Sequence, residues 1–242
     1  MENILTQAKR VAEEAEVFMV SSEETPVQFE ANRLKRIQGK QNTSVALRII
    51  REGRIGYAST TELSDARRLV DNAVETAQFG MPAKFELPRK ATYPQIDIFD
   101  PDVESTSIEK MIELGEKLIT LVTEHTPGII CETMVTKDII SLRIMNSRGG
   151  QASYKKSVFS LGIIGSLIRG TDMLFVGEIQ SSCHPINKPE EIADVVIQQL
   201  ELAKNRASIP TKKLPVIFTP RGVASALIPS LMMAFNGKTV LE

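Results

Sequence analysis

Residues able to do chemistry are scarce in this chain. Its 242 residues include two histidines, His125 and His184, and two cysteines, Cys131 and Cys183. Zinc needs several nitrogen, sulfur or carboxylate donors that converge, usually at short helical or loop spacings. Neither histidine sits in an H-E-x-x-H arrangement, and the cysteines are far apart in sequence. Cys183 and His184 are adjacent near a strand end, so their side chains point to opposite sides and do not converge. His125 follows a helical stripe and precedes Thr126-Pro127, a position from which it interacts with a helix C-terminus. Ser157 follows Lys155 and Lys156, the composition of a Ser-Lys dyad, but a solvated strand face is the better reading of this stretch. No G-x-S-x-G elbow, Walker A loop or G-x-G-x-x-G is present, and Gly149, Gly150, Gly162, Gly165 and Gly170 are spaced as strand and turn glycines. Asp97, Asp100, Asp102 and Glu104 crowd a proline-rich stretch, where they keep an extended segment solvated. Arg33, Lys35, Arg36 and Lys40 form a small basic cluster without the interleaved aromatics that stack on bases. On this reading no residue is assigned a catalytic, cofactor-binding or metal-binding role.

The elements around these residues follow from hydrophobic periodicity. Ala66, Leu69, Val70, Ala73, Val74 and Ala77 mark a helix over 64–80, and Ile192, Val195, Val196, Leu200 and Ala203 mark another over 189–206. Two more helices are expected over about 4–15 and 108–124. Strands are expected at 17–20, 27–29, 34–37, 45–50 and 55–58, with turns at Asn32-Arg33 and at 51–54. A second set is expected at 129–135, 139–145, 158–168 and 173–179, with turns at 146–150 and 169–172. The fold class is therefore α+β. Two similar helix–antiparallel sheet–helix units arise by internal duplication, and the start of a further, β-rich C-terminal domain follows. The expected boundaries are 1–80 for the first unit, 81–106 for a Pro-rich surface connector, 107–206 for the second unit and 207–242 for the last segment. There, Leu214 to Thr219 reads as a strand leading into an apolar helix over 223–235.

Composition bounds the function class. Net charge is −1, from 29 basic and 30 acidic residues, which gives no long-range pull toward nucleic acid or anionic lipid. No apolar run approaches the ~20 residues of a membrane helix. The start, Met1-Glu2-Asn3-Ile4-Leu5, lacks the basic and apolar regions of a secretory signal. Two cysteines make no disulfide framework, so a reducing cytoplasm is the expected location.

The stretch Val45 to Thr60, with Gly56-Tyr57-Ala58-Ser59-Thr60 on its return strand, leads through Leu63-Ser64-Asp65 into the Ala66–Ala77 helix. This resembles the N-terminal domain of the TldD/PmbA family. The turn Asn146-Ser147-Arg148-Gly149 and the run Leu214 to Pro220 also resemble that family. The resemblance implies kinship with intracellular zinc peptidases that act on small unfolded peptides inside a hollow dimer. In their catalytic branch an H-E-x-x-x-H helix follows the strand matched by Val216 to Thr219. Here Val223 to Phe235 contains neither His nor Glu. That departure matches the PmbA/TldE branch, known also as modulator of DNA gyrase. The implied role is a non-catalytic subunit that shapes the substrate chamber, with no cofactor in this chain and zinc only in a TldD-type partner. The implied partners are that subunit or a second copy, and an unfolded peptide, which the exposed edge strands of the second unit could take by strand addition. Two alternatives stay open: a non-enzymatic regulatory or scaffold protein, which could associate with nucleic acid through the Arg33 to Lys40 cluster, and a stand-alone hydrolase with an unrecognised site.

Overall fold

A computed structural model of the protein describes residues 1–205, 207–237 and 239. Met1–Lys204 forms one compact unit and the residues after it a second, separate one. The first unit is an α+β body organised on one antiparallel seven-stranded sheet. Its strands are β1 (Glu14–Glu30), β2 (Arg33–Ile37), β3 (Lys40–Arg51), β4 (Arg54–Thr60), β5 (Ile130–Asn146), β6 (Gln151–Arg169) and β7 (Asp172–Ser182). Their order is β4-β3-β1-β5-β6-β7, and β2 pairs with β1. Each half of this chain segment supplies three consecutive neighbours, and β1 and β5 join the halves in register from Glu16↔Asn146 to Phe29↔Thr133.

Helices flank each set: α1 (Glu2–Ala8) and α2 (Ala66–Ala77) around the first, α4 (Ile108–His125) and α5 (Pro189–Leu202) around the second, with the short α3 (Pro101–Ser105) between. Asp65 caps α2 by accepting from the Arg68 amide, and Ser107 caps α4 by accepting from that of Lys110. Both helix pairs lie on the same face of the sheet. In β1 the odd positions Ala15 and Val17 enter a core with α1 and α2, while Val27 and Phe29 enter a second core with α4 and α5. Strand alternation then leaves the even positions of β1 on the opposite, open face. Close packing needs small residues at two points. A Cβ on Gly115 of α4 would stand 2.3 Å from the Phe29 ring, and one on Gly56 of β4 would stand 2.1 Å from the Ala73 carbonyl oxygen.

Several elements differ from the sequence reading. The first helix ends at Ala8, and Ala15 belongs to β1, because pairing from Glu14↔Ile50 onward claims that stretch. The strands expected at 17–20 and 27–29 are one strand through Pro26. That proline sits where β3 hands over to β2 as the neighbour of β1, so its missing N–H interrupts neither ladder. Likewise 129–135 and 139–145 merge into β5. The first hairpin turns on Ala31 and Asn32, both at positive φ, rather than on Asn32-Arg33. The turn at 51–54 is where expected, with Glu52 and Gly53 at positive φ.

The 81–106 segment is partly a packed element. Leu87 and Val103 are buried, and α3 lies within it. In the last segment, Leu214 to Thr219 forms no strand among the described residues, since a strand without a neighbour leaves its main chain unpaired. Helix does follow there: α6 (Pro220–Gly222), a π turn over Val223–Leu227, and α7 (Ile228–Ala234). The residues beyond Asn236 in the expected domain fall partly outside the described ones. No helix among the described residues is long and apolar enough to cross a membrane.

Candidate functional site

Three residues singled out from the sequence, Ser157, Cys183 and His184, do come together, and Asp100 joins them. The meeting point is where the segment before α3 reaches β6 just beyond the end of its pairing with β7. The Asp100 amide donates to Ser157 Oγ at 2.9 Å, and that hydroxyl donates to the Cys183 carbonyl at 2.8 Å. The Ser157 amide donates to the Ile98 carbonyl at 3.0 Å. His184 Nδ1 lies 2.7 Å from Asp100 Oδ2, and Asp100 Oδ1 accepts from the Asp102 amide, capping α3. The hydrogen bond to His184, and then that from Asp102, hold the Asp100 carboxyl below the usual carboxylate range.

This constellation is a lock rather than a reaction centre. A serine nucleophile must pass its proton to a base. Ser157 is 2% exposed and passes its hydrogen bond to a carbonyl, which cannot take a proton. Lys156 lies on the other side of the strand. Lys155 pairs with Glu104 at 2.8 Å and stands 4.2 Å above the Phe99 ring. Cys131 is buried, and burial pushes its thiol up to about 11, far from the thiolate that reacts.

His125 joins α4 to α5. Its Nε2 is 2.8 Å from Glu201 and its Nδ1 is 2.9 Å from Thr126 Oγ1. The Glu201 carboxyl is held low, first by Lys204 and then by His125. The acidic stretch is dispersed, with Asp100 on His184 and Glu104 on Lys155. Among the described residues no group of three or more His, Cys, Asp or Glu side chains could hold a metal ion. In the basic cluster, Lys35 faces Glu30 at 3.5 Å, Lys40 faces Glu24 at 4.0 Å, and Arg36 donates twice to Gln28 Oε1.

The open face of the sheet is more informative. At its β3–β1 end, Glu16 and Arg48 form an ion pair at 2.5 Å, and Phe85 lies over the Arg48 guanidinium at 5.2 Å. The Leu87 amide donates to Glu14 Oε2, Asn146 Nδ2 donates to the Pro88 carbonyl, and Arg148 bridges Glu14 and Glu86. Residues 85–88 therefore strap this end. At the β6–β7 end the same face is bare and apolar. Met134, Ile164, Ile168, Met173, Phe175 and Ile179 are between 42% and 65% exposed. A signal for this surface exists in the sequence: the run Val158 to Ile168 carries no charged residue at either alternation, as in a strand covered on two faces.

The outer edge of β7 is not bare. Gln199 of α5 accepts from the Gly177 amide and donates to its carbonyl, both at 3.0 Å, as a neighbouring strand would. The Ile179 amide donates to Glu178 Oε1 at 3.2 Å. Edge pairing with an extended peptide, expected from the sequence, meets side chains already in place at these two positions.

Comparison with known proteins places this geometry. Residues 15–77, which run from the start of β1 to the end of α2, match the family described as PmbA/TldA metallopeptidase domain 1. Among solved structures, TldE from Thermococcus kodakarensis is similar at a TM-score of 0.76 and 16% identity, covering 85% of this chain and 48% of that one. A protein described as a candidate modulator of a DNA gyrase from Thermotoga maritima gives 0.71 and 15%, covering 82% and 46%. A similarly described protein from Bacteroides thetaiotaomicron gives 0.68 and 17%, covering 81% and 49%. At these identities the likeness is one of fold, and the chain spans about half the length of each structure. No curated protein sequence matches it.

Proposed function

We propose, on the premise that this PmbA/TldE-like chain carries a PmbA/TldA-type first domain at residues 15–77, that it is a non-catalytic subunit of an intracellular, zinc-dependent peptide-processing assembly. One observation carries the reading. The matched segment holds strands β1 to β4 with α2 packed on them, joined through β1 to the second half of the sheet in a fold shared with TldE. The helical stretch Pro220–Ala234 offers no His or Glu to a metal. A zinc-bearing TldD-type subunit would supply the hydrolytic chemistry, and this chain a wall of the chamber that admits short unfolded peptides. Two unpaired cysteines fit a cytoplasmic setting. Any modulation of DNA gyrase would then be indirect, through peptide turnover.

The test is recovery of the protein from its own cells, with bound proteins and zinc quantified. Recovery of an equimolar H-E-x-x-x-H protein loaded with zinc is the expected result. Recovery of this chain without such a protein and without zinc overturns the reading.

A further inference from the structure

Both outer strands of the sheet are closed by the same device. At β4, Thr76 Oγ1 accepts from the Tyr57 amide at 2.8 Å and donates to the Tyr57 carbonyl at 2.8 Å, sharing its proton with the Ala73 carbonyl at 3.0 Å. At β7, the Gln199 side-chain amide makes the matching pair of bonds to Gly177. Thr76 lies in the last turn of α2 and Gln199 in the last turn of α5, and each helix follows the edge strand that it closes. A short hydroxyl suffices at β4 because α2 lies directly on that strand, where a Cβ on Gly56 would stand 2.8 Å from the Ala77 Cβ.

An antiparallel edge strand turns the main-chain groups of every second residue outward, here Ile55, Tyr57 and Ser59 of β4. The Ile55 amide donates to the Met81 carbonyl at 3.0 Å, which leaves Ser59. On β7 the residues already engaged, Gly177 and Ile179, stand in mid-strand and split the edge into short runs. The third edge, β2, is 5 residues long and carries Arg33, Lys35 and Arg36. Short length and charge both discourage pairing there.

We infer that Thr76 and Gln199 are matched latches that close the sheet to a further strand, whether an extended peptide or the edge of another molecule. An added strand holds only through several successive main-chain pairs, and each latch removes a pair in the middle of its edge. A peptide that meets this protein is therefore held elsewhere while the latches are closed. The inference is independent of the partner-subunit reading, because the bonds are made within this chain.

The test is amide hydrogen exchange on the full chain, unaltered and as Thr76→Val and Gln199→Leu, which remove the polar group and keep most of the bulk. In the unaltered chain the Tyr57 and Gly177 amides are expected to exchange about tenfold more slowly than those of Ser59 and Phe175. The latter two turn outward in the same strands without such a partner among the described residues. Equal rates overturn the inference, and this comparison requires no variant to fold. Thr76→Val should speed exchange at Tyr57, and Gln199→Leu at Gly177, about tenfold and each at its own edge only. Thr76→Ser, which keeps the hydroxyl, should preserve the protection. Unchanged rates in both Thr76→Val and Gln199→Leu overturn the inference. The double variant should sediment as larger species than the unaltered chain at equal concentration, with an added infrared band of intermolecular β-structure. Association no greater than that of the unaltered chain overturns it.

Discussion

The two ends of the sheet are built alike on one face and differently on the other. Each end is covered by a helix pair, α1 with α2 or α4 with α5, and buries alternate residues of long strands beneath it. On the other face, the β3–β1 end carries the Glu16–Arg48 pair under a strap from the 81–100 segment, with Phe85 stacked on the guanidinium. The β6–β7 end has no strap and displays Ile164, Phe175 and Ile179 to solvent. Contiguous apolar surface of this size marks an interaction site in a folded protein. One end is thus covered by the chain's own 85–88 strap, and the other is left open among the described residues.

Phenylalanines on the two faces separate these roles most widely. Phe159 is fully buried under α4 and α5, and Phe159→Ala should cost about 3–5 kcal/mol in denaturant unfolding. Phe175→Ala, at a residue 65% exposed, should change monomer stability by no more than ~0.5 kcal/mol. Equal losses would mean that the open face is part of the monomer's core.

At the strapped end, Arg48→Ala leaves the nearly buried Glu16 carboxylate without its cation and the Phe85 ring without its platform. A loss of about 1–3 kcal/mol is expected, together with faster proteolytic cleavage between 81 and 98. Unchanged cleavage would show that the strap is held by its bonds to Glu14, Asn146 and Arg148 without Arg48. Within the second core, Thr133 is 3% exposed and its hydroxyl has no hydrogen-bond partner among the described residues. Thr133→Val should stabilise by about 1 kcal/mol, since the unpaired hydroxyl is removed at nearly constant shape.

The smallest effect is expected at Asp138, beside Glu24 on the open face between the two ends. Burial, and then the Glu24 charge, raise its carboxyl above the usual range. A raised carboxyl favours the protonated form in the folded state. The associated stability is therefore present below the unfolded pKa and lost as pH rises through the folded one. Asp138→Asn should raise the melting temperature at neutral pH and have no effect in acid. A gain that persists in acid would point to a cause other than charge.

Much of the first unit could be read directly. The stripe Ala66 to Ala77 is helix α2, and the alternation through Val45 to Ile50 with its turn at 51–54 is the β3–β4 hairpin. That same stretch carried the family likeness, because its strands and helix pack mainly on one another. Elsewhere local reading failed for identifiable reasons. Pro26 and the charges Lys137-Asp138 look like strand breaks, yet β1 and β5 run through them because each has a neighbour on both sides. Ser157, His184 and Asp100 are residues an observer would single out individually. Their roles depend on partners up to 84 positions away.

Amphipathic periodicity and turn chemistry act over a few residues, so the chain's own order specified its helices, its hairpins and its poverty in catalytic groups. Which strands meet, and which face is left uncovered, depends on contacts between residues more than a hundred positions apart. The β1–β5 pairing that makes one sheet of two halves has no local signature, since any two apolar strands present the same backbone donors and acceptors. Burial of both helix pairs on one face selects that pairing, and the same choice exposes Ile164, Phe175 and Ile179 on the other.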